Sequence, residues 1–163
     1  MITIERAPST EAAFKEIADF GMAGLREYLV APIDMEKAAA QLYVTLADKM
    51  MFVARDEVGE IVGCLGMMVT DLWYSRDAIL LSKIGPFVRP DQRFGTVGVK
   101  LMRAVRGLAD ELDMLAFVWV TRPGRKRATD AALFAQVAGY VPLGHVLKIR
   151  GHRKQDERVA EPA

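Results

Sequence analysis

The chain has 163 residues, 52% hydrophobic and 26% charged, a balance that fits one packed domain and excludes a disordered chain. Its 22 Lys and Arg against 21 Asp and Glu leave a formal charge of +1, so no overall field recruits nucleic acid or an anionic membrane. Cys64 is the one cysteine, which excludes an internal disulfide and a multi-cysteine zinc site. With no apolar run near the ~20 residues of a bilayer span and no signal-peptide pattern, a cytoplasmic protein is expected.

Residues 2–7 alternate weakly and read as a first strand. Pro8-Ser9-Thr10-Glu11 then supplies a helix start, with hydroxyls to accept free N–H groups and an acid in the first turn. Phe14, Ile17, Ala18, Met22 and Leu25 recur at helical spacing, while Gly21 and Gly24 weaken that helix near its end. Ala31-Pro32 breaks the chain, and Asp34 caps a second helix with Ala38, Leu42 and Leu46 on one face.

Residues 51–55 read as a strand, Asp56-Glu57-Val58-Gly59 as a tight turn, and residues 60–70 as a longer antiparallel strand. A loop with Trp73 and Tyr74 leads to an apolar strand over 78–88. Gly85-Pro86 interrupts it, and a bulge or an end to pairing is expected there because proline has no N–H to donate. Residues 97–112 form an amphipathic helix with Leu101, Val105, Leu108 and Leu112 on one face, and Met114 to Val120 a buried strand. The basic run Arg122, Arg125, Lys126, Arg127 lies in a loop. A helix with Leu133, Phe134 and Val137 follows, ended by Gly139, and Tyr140 to Ile149 forms the last strand. Residues 1–150 make one domain and 151–163 a frayed tail. The order of elements is that of an α+β domain on a mixed sheet.

The chemistry concentrates after Val88. An apolar strand runs into Arg89-Pro90-Asp91-Gln92-Arg93-Phe94-Gly95-Thr96-Val97-Gly98 and then a helix. That geometry aims unsatisfied N–H groups and the positive end of a helix dipole at one spot, a natural seat for a diphosphate. Arg93 adds a charged donor there, and Gly95 and Gly98 leave room for phosphate oxygens. An ordinary strand–helix turn with a solubilising arginine shows the same local pattern.

These landmarks in order resemble the GNAT superfamily of acetyl-CoA-dependent N-acetyltransferases over about residues 2–150. They comprise two early helices, the 52–63 hairpin, Val88-Arg89-Pro90, the Arg93–Gly98 loop and the Gly139-Tyr140 pair. The resemblance implies a central mixed, mostly antiparallel sheet of about six to seven strands flanked by about four helices. It also implies acetyl-CoA as co-substrate and no metal. Phe87 and Val88 would meet pantetheine, and Arg93, Phe94, Gly95, Thr96, Val97 and Gly98 would hold the pyrophosphate. Phe134 of the final-helix motif joins the cofactor-binding set. The strands ending at Val88 and starting at Met114 would splay to admit the thioester. Two departures stand out. Thr96 occupies the first family glycine, and Ala135 fills the position at which many members carry a tyrosine acid.

The expected reaction is direct attack of an amine on the thioester, which needs a proton acceptor. Asp71, Tyr74 and Asp77 flank the loop at the acceptor side and are the catalytic candidates. The rival is a CoA-binding domain with little or no catalysis. The acceptor is a small-molecule or peptide amine. Homodimers are common in the resembled family, and no membrane partner is expected. RNA binding by the 122–127 loop is disfavoured, because no aromatic residues are interleaved with its charges. Trp119, Tyr140, His145 and Cys64 read as packing residues.

Overall fold

In the computed structural model, which describes residues 1–28, 32–71, 76–93, 95–118 and 136–140, a short strand β1 (Thr3–Arg6) leads into helix α1 (Glu11–Tyr28). The helix starts at the hydroxyl that the sequence offers, since Thr10 Oγ1 accepts the Ala13 N–H at 3.3 Å. Helix α2 (Met35–Ala47) is capped by Asp34, whose carboxylate accepts the Lys37 N–H at 3.0 Å. Ala13 and Ile17 of α1 and Leu42 and Leu46 of α2 are buried with Met51, Val53, Cys64 and Phe87 of the sheet.

Strands β2 (Met51–Arg55) and β3 (Ile61–Asp71) form a hairpin. The Asp56 carboxylate accepts the Val58 and Glu60 N–H groups at 3.1 and 3.0 Å, and Gly59 takes φ +87° to close the turn. That use of the Glu60 N–H explains why β3 begins at Ile61 and not at Glu60. Along β2 the side chains alternate between two cores. Met51 and Val53 join the layer of α1 and α2, while Phe52 and Ala54 join that of helix α3 (Val97–Leu112). Both faces are covered, so the strand reads as an unbroken apolar run.

The sheet order is β1-β2-β3-β4-β5, with β4 spanning Ala78–Val88 and β5 Leu115–Phe117. The first four strands pair antiparallel and β5 pairs parallel to β4, a mixed and mostly antiparallel sheet. Among the described residues there are five strands and three α-helices, fewer than the resemblance implied. Most of the segment expected to supply the last helix, and nearly all of the last strand, lie outside the described residues. The tail and the 122–127 run do too. Met114 is not in β5, because its N–H is spent on the Ala109 carbonyl (3.0 Å) at the end of α3.

The proline in β4 does produce a bulge. Between the pairs Cys64–Phe87 and Gly66–Ile84, and again between Gly66–Ile84 and Met67–Ser82, β4 advances one residue more than β3. Gly85 sits in this distortion at φ +75°, where a Cβ would lie 2.6 Å from the Cys64 oxygen and 2.6 Å from the Phe87 nitrogen. Only glycine fits. On the other side of the sheet, Gly63 lets α3 lie close. A Cβ there would come within 2.8 Å of Val97 and 3.0 Å of Leu101. Leu101, Val105 and Leu108 of the expected face are buried along α3 together with Val97 and Met102, while Leu112 at the helix end is exposed.

Candidate functional site

Strand β4 delivers the chain to the site. Its last rung to β3 is the Arg89 N–H on the Val62 carbonyl, at 2.9 Å. One 3-10 turn, Pro90–Gln92, reverses direction, and the proline at its start gives up an N–H that had no partner to find. Gly95 then donates to the Gln92 carbonyl at 3.1 Å, and Thr96 stands at the N-cap of α3. Thr96 makes no side-chain cap, and the first ladder bond of the helix is Lys100 N–H to the Thr96 carbonyl at 2.9 Å. The N–H groups of Val97, Gly98 and Val99 therefore have no partner within the helix. The first turn of α3 carries no acidic residue, so the positive end of its dipole is uncompensated from within.

Arg93 is half-buried and folds back on the strand. Its Nε donates to the Val88 carbonyl at 3.0 Å, which fixes the guanidinium at the base of the turn. Val88, Arg89, Pro90 and Arg93 form one wall of a groove, and Phe20, Ala23 and Gly24 of α1 form the other. Helix α1 closes on the strand end at Gly24, where a Cβ would meet the Phe87 ring at 2.7 Å. In the sequence Gly24 reads only as a helix weakener, and this contact goes unseen. The available signal was its place on the inward face with Ile17 and Gly21, at helical spacing.

The ladder between β4 and β5 covers Ile79 to Leu81 opposite Leu115 to Phe117, and among the described residues it extends no further along β4. The strand end that carries Phe87 and Val88 thus lies beyond the paired part. Val97 and Gly98 are buried, and Gly95 and Thr96 are exposed at the lip. The structure gathers Phe87, Val88, Arg93, Gly95, Thr96, Val97 and Gly98 around one strand end and one helix start.

Asp71 and Asp77 lie elsewhere. Both are exposed, and Asp71 pairs with Ala78 while Gly63 pairs with Val88. The stretch of β3 between Gly63 and Asp71 measures roughly 25 Å at about 3.3 Å per residue. Tyr74, Phe94, Phe134 and Ala135 fall outside the described residues, as do Trp73, Trp119 and His145. Cys64 is fully buried and burial pushes its thiol up to about 12, which suits a packing role. Tyr140 donates its hydroxyl to the Met102 carbonyl at 2.9 Å, and burial pushes its phenol up to about 12. Among the described residues no three His, Cys, Asp or Glu side chains group as metal ligands, and no helix is long and apolar enough to cross a membrane.

No protein-family model and no curated protein matches the sequence. Solved structures do match the fold. A predicted acetyltransferase from Clostridium acetobutylicum, solved with acetyl-CoA, superposes with a TM-score of 0.68 at 12% identity, over 92% of this chain and 96% of that one. An aminoglycoside acetyltransferase from an uncultured soil metagenomic sample, solved with sisomicin, gives 0.63 at 20% identity over 92% and 95%. Glucosamine-6-phosphate N-acetyltransferase from Arabidopsis thaliana gives 0.64 at 10% identity over 92% and 98%. The chain has the fold of the GNAT-type acetyltransferases.

Proposed function

We propose that this protein binds acetyl-CoA at the end of β4 and passes the acetyl group to the amine of a small molecule. The observation that carries the proposal is the β4–α3 junction. A bulged strand, still paired to β3 at its end and, among the described residues, unpaired there on its β5 side, ends against a helix start with uncompensated N–H groups, and Arg93 is pinned at its base. Phe87 and Val88 supply main-chain contacts to the pantetheine arm, and the 93–98 segment holds the pyrophosphate. The amine nitrogen attacks the thioester carbonyl carbon, N–H groups of the strand end stabilise the oxyanion, and the C–S bond breaks to release a thiolate that takes up the proton the nitrogen gives up. Several solved relatives in fold act on small amines, an aminoglycoside acetyltransferase and glucosamine-6-phosphate N-acetyltransferase among them, which supports that acceptor class.

The same junction would also serve a CoA binder without turnover, and the placement of Asp71 and Asp77 keeps that reading in play. They lie far from the cradle, so we assign them contact with an extended acceptor and not the proton transfer. The test separates binding from folding. At a hundredfold excess over Kd, acetyl-CoA stabilises a protein by about 2.7 kcal/mol, a shift of several degrees in Tm. Thr96→Asp places an acid at the N-cap, where it favours the helix, but also puts negative charge in the cradle. The expected result is an unliganded Tm equal to or above wild type with the acetyl-CoA shift gone. An undiminished shift sinks the proposal. Thiol release from acetyl-CoA across a panel of aminoglycosides, polyamines and amino sugars then divides enzyme from binder.

A further inference from the structure

Arg89 stands where the β2–β3 turn, the end of β4 and the lip of the cradle meet. Its guanidinium faces three carboxylates, Asp91 at 2.8 Å, Glu60 at 3.2 Å and Asp56 at 3.5 Å. Three negative charges thus surround one positive charge, on the wall of the groove that Arg89 shares with Arg93. One of the acids is held in place by the backbone: Asp56 is committed to the Val58 and Glu60 N–H groups of the hairpin turn. Asp91 lies in the turn two residues before Arg93 and also accepts from the Gln92 amide at 3.3 Å. A diphosphate beside Arg93 brings negative charge of its own. Without Arg89 it would meet those carboxylates with only salt between them.

We propose that Arg89 is a positioning residue for the acyl donor: it draws Asp56, Glu60 and Asp91 onto itself and so sets the affinity of the cradle for a phosphate-bearing ligand. The inference rests on the donor-binding reading above. It assigns Arg89 no part in acyl transfer, so its effect falls on donor affinity and not on turnover. Because the effect is a field between partly exposed charges, it shrinks as the ~10 Å screening length at 0.1 M salt shortens at higher ionic strength.

Calorimetric titration of acetyl-CoA into the full chain is the test, since it needs no turnover. Arg89→Gln is expected to weaken binding about tenfold at low salt and about threefold or less at 0.5 M NaCl. Glu60→Gln alters a side chain that is 69% exposed and spares the fold; it is expected to tighten low-salt binding about two- to threefold. Adding Glu60→Gln and Asp91→Asn to Arg89→Gln is expected to restore the affinity. An Arg89→Gln loss that ignores salt, or no loss at all, overturns the inference. So does a Glu60→Gln variant that binds no tighter, which decides the matter alone if Arg89→Gln does not fold. A wild type that binds no acetyl-CoA removes the donor reading and this inference together. A wild type that binds, with variants that do not differ from it, removes this inference alone.

Discussion

At position 24 a single hydrogen stands where any other residue would put a carbon 2.7 Å from Cγ and 2.8 Å from Cδ1 of Phe87. The ring cannot retreat easily, because Phe87 is itself buried between α1 and the sheet. A Cβ at Gly21, one turn earlier, would meet nothing within 4 Å. The two glycines look alike in a sequence and differ in consequence. Gly24→Ala is expected to cost about 1–3 kcal/mol by overpacking, less what helix propensity returns, whereas Gly21→Ala is expected to stabilise by about 0.5–1 kcal/mol. Urea denaturation of both variants checks the pair, and equal effects of the same sign would refute the contact. Arg93 shows the same limit at a second residue. Its charge and place in the loop are legible, but its hydrogen bond back to Val88 comes from the reversal of the chain at Pro90–Gln92.

Strand β4 is the element on which the site depends. Its bulge is legible in the dipeptide Gly85-Pro86, since a proline inside a ladder has no N–H to contribute. What the dipeptide does not reveal is that β4 gains a second extra residue between Ile84 and Ser82, so that the strand reaches its end two residues out of step with β3 yet still paired to it. Gly85→Ala combines a left-handed backbone angle with contacts of 2.6 Å to main-chain atoms that have nowhere to go. It is expected to destabilise the chain by a few kcal/mol and to abolish the acetyl-CoA shift even though Arg93 and α3 are untouched. Thermal melts with and without acetyl-CoA read both effects, and a variant that melts and binds like wild type would contradict this account of β4.

At the scale of the molecule, Arg55 ties three segments together. Its Nε donates to Glu5 of β1 at 2.7 Å, and its two terminal nitrogens to Glu16 of α1 at 2.6 and 2.8 Å. One of them also donates to the Gly59 carbonyl at 2.8 Å. The hydrogen bonds from Arg55 hold the Glu16 carboxyl below the usual glutamate range. A carboxyl whose pKa is lowered on folding contributes stability above its unfolded value, and that contribution is lost as pH falls through the folded one. With the Glu16 side chain 43% exposed, solvent screening keeps the gain below about 1 kcal/mol. Glu16→Gln is therefore expected to be less stable than wild type at pH 7 and to converge with it below about pH 4, near and under the glutamate range. Denaturant midpoints across that interval measure it, and a constant gap between the two proteins would count against the tie.

The local elements were within reach of the sequence alone. The Thr10 and Asp34 caps, the Asp56–Gly59 turn, the strand over 51–55, the amphipathic face of α3 and the strand–turn–helix order around Arg93 all follow from interactions between near neighbours. Only the tertiary structure decided which distant groups meet. It set Gly24 against Phe87 and Gly63 against Val97, gathered Asp56, Glu60 and Asp91 around Arg89, and left Asp71 and Asp77 at the far end of β4. The reason is physical: caps and periodicities act over a few residues, whereas these contacts depend on how two layers of helix close on one bulged sheet.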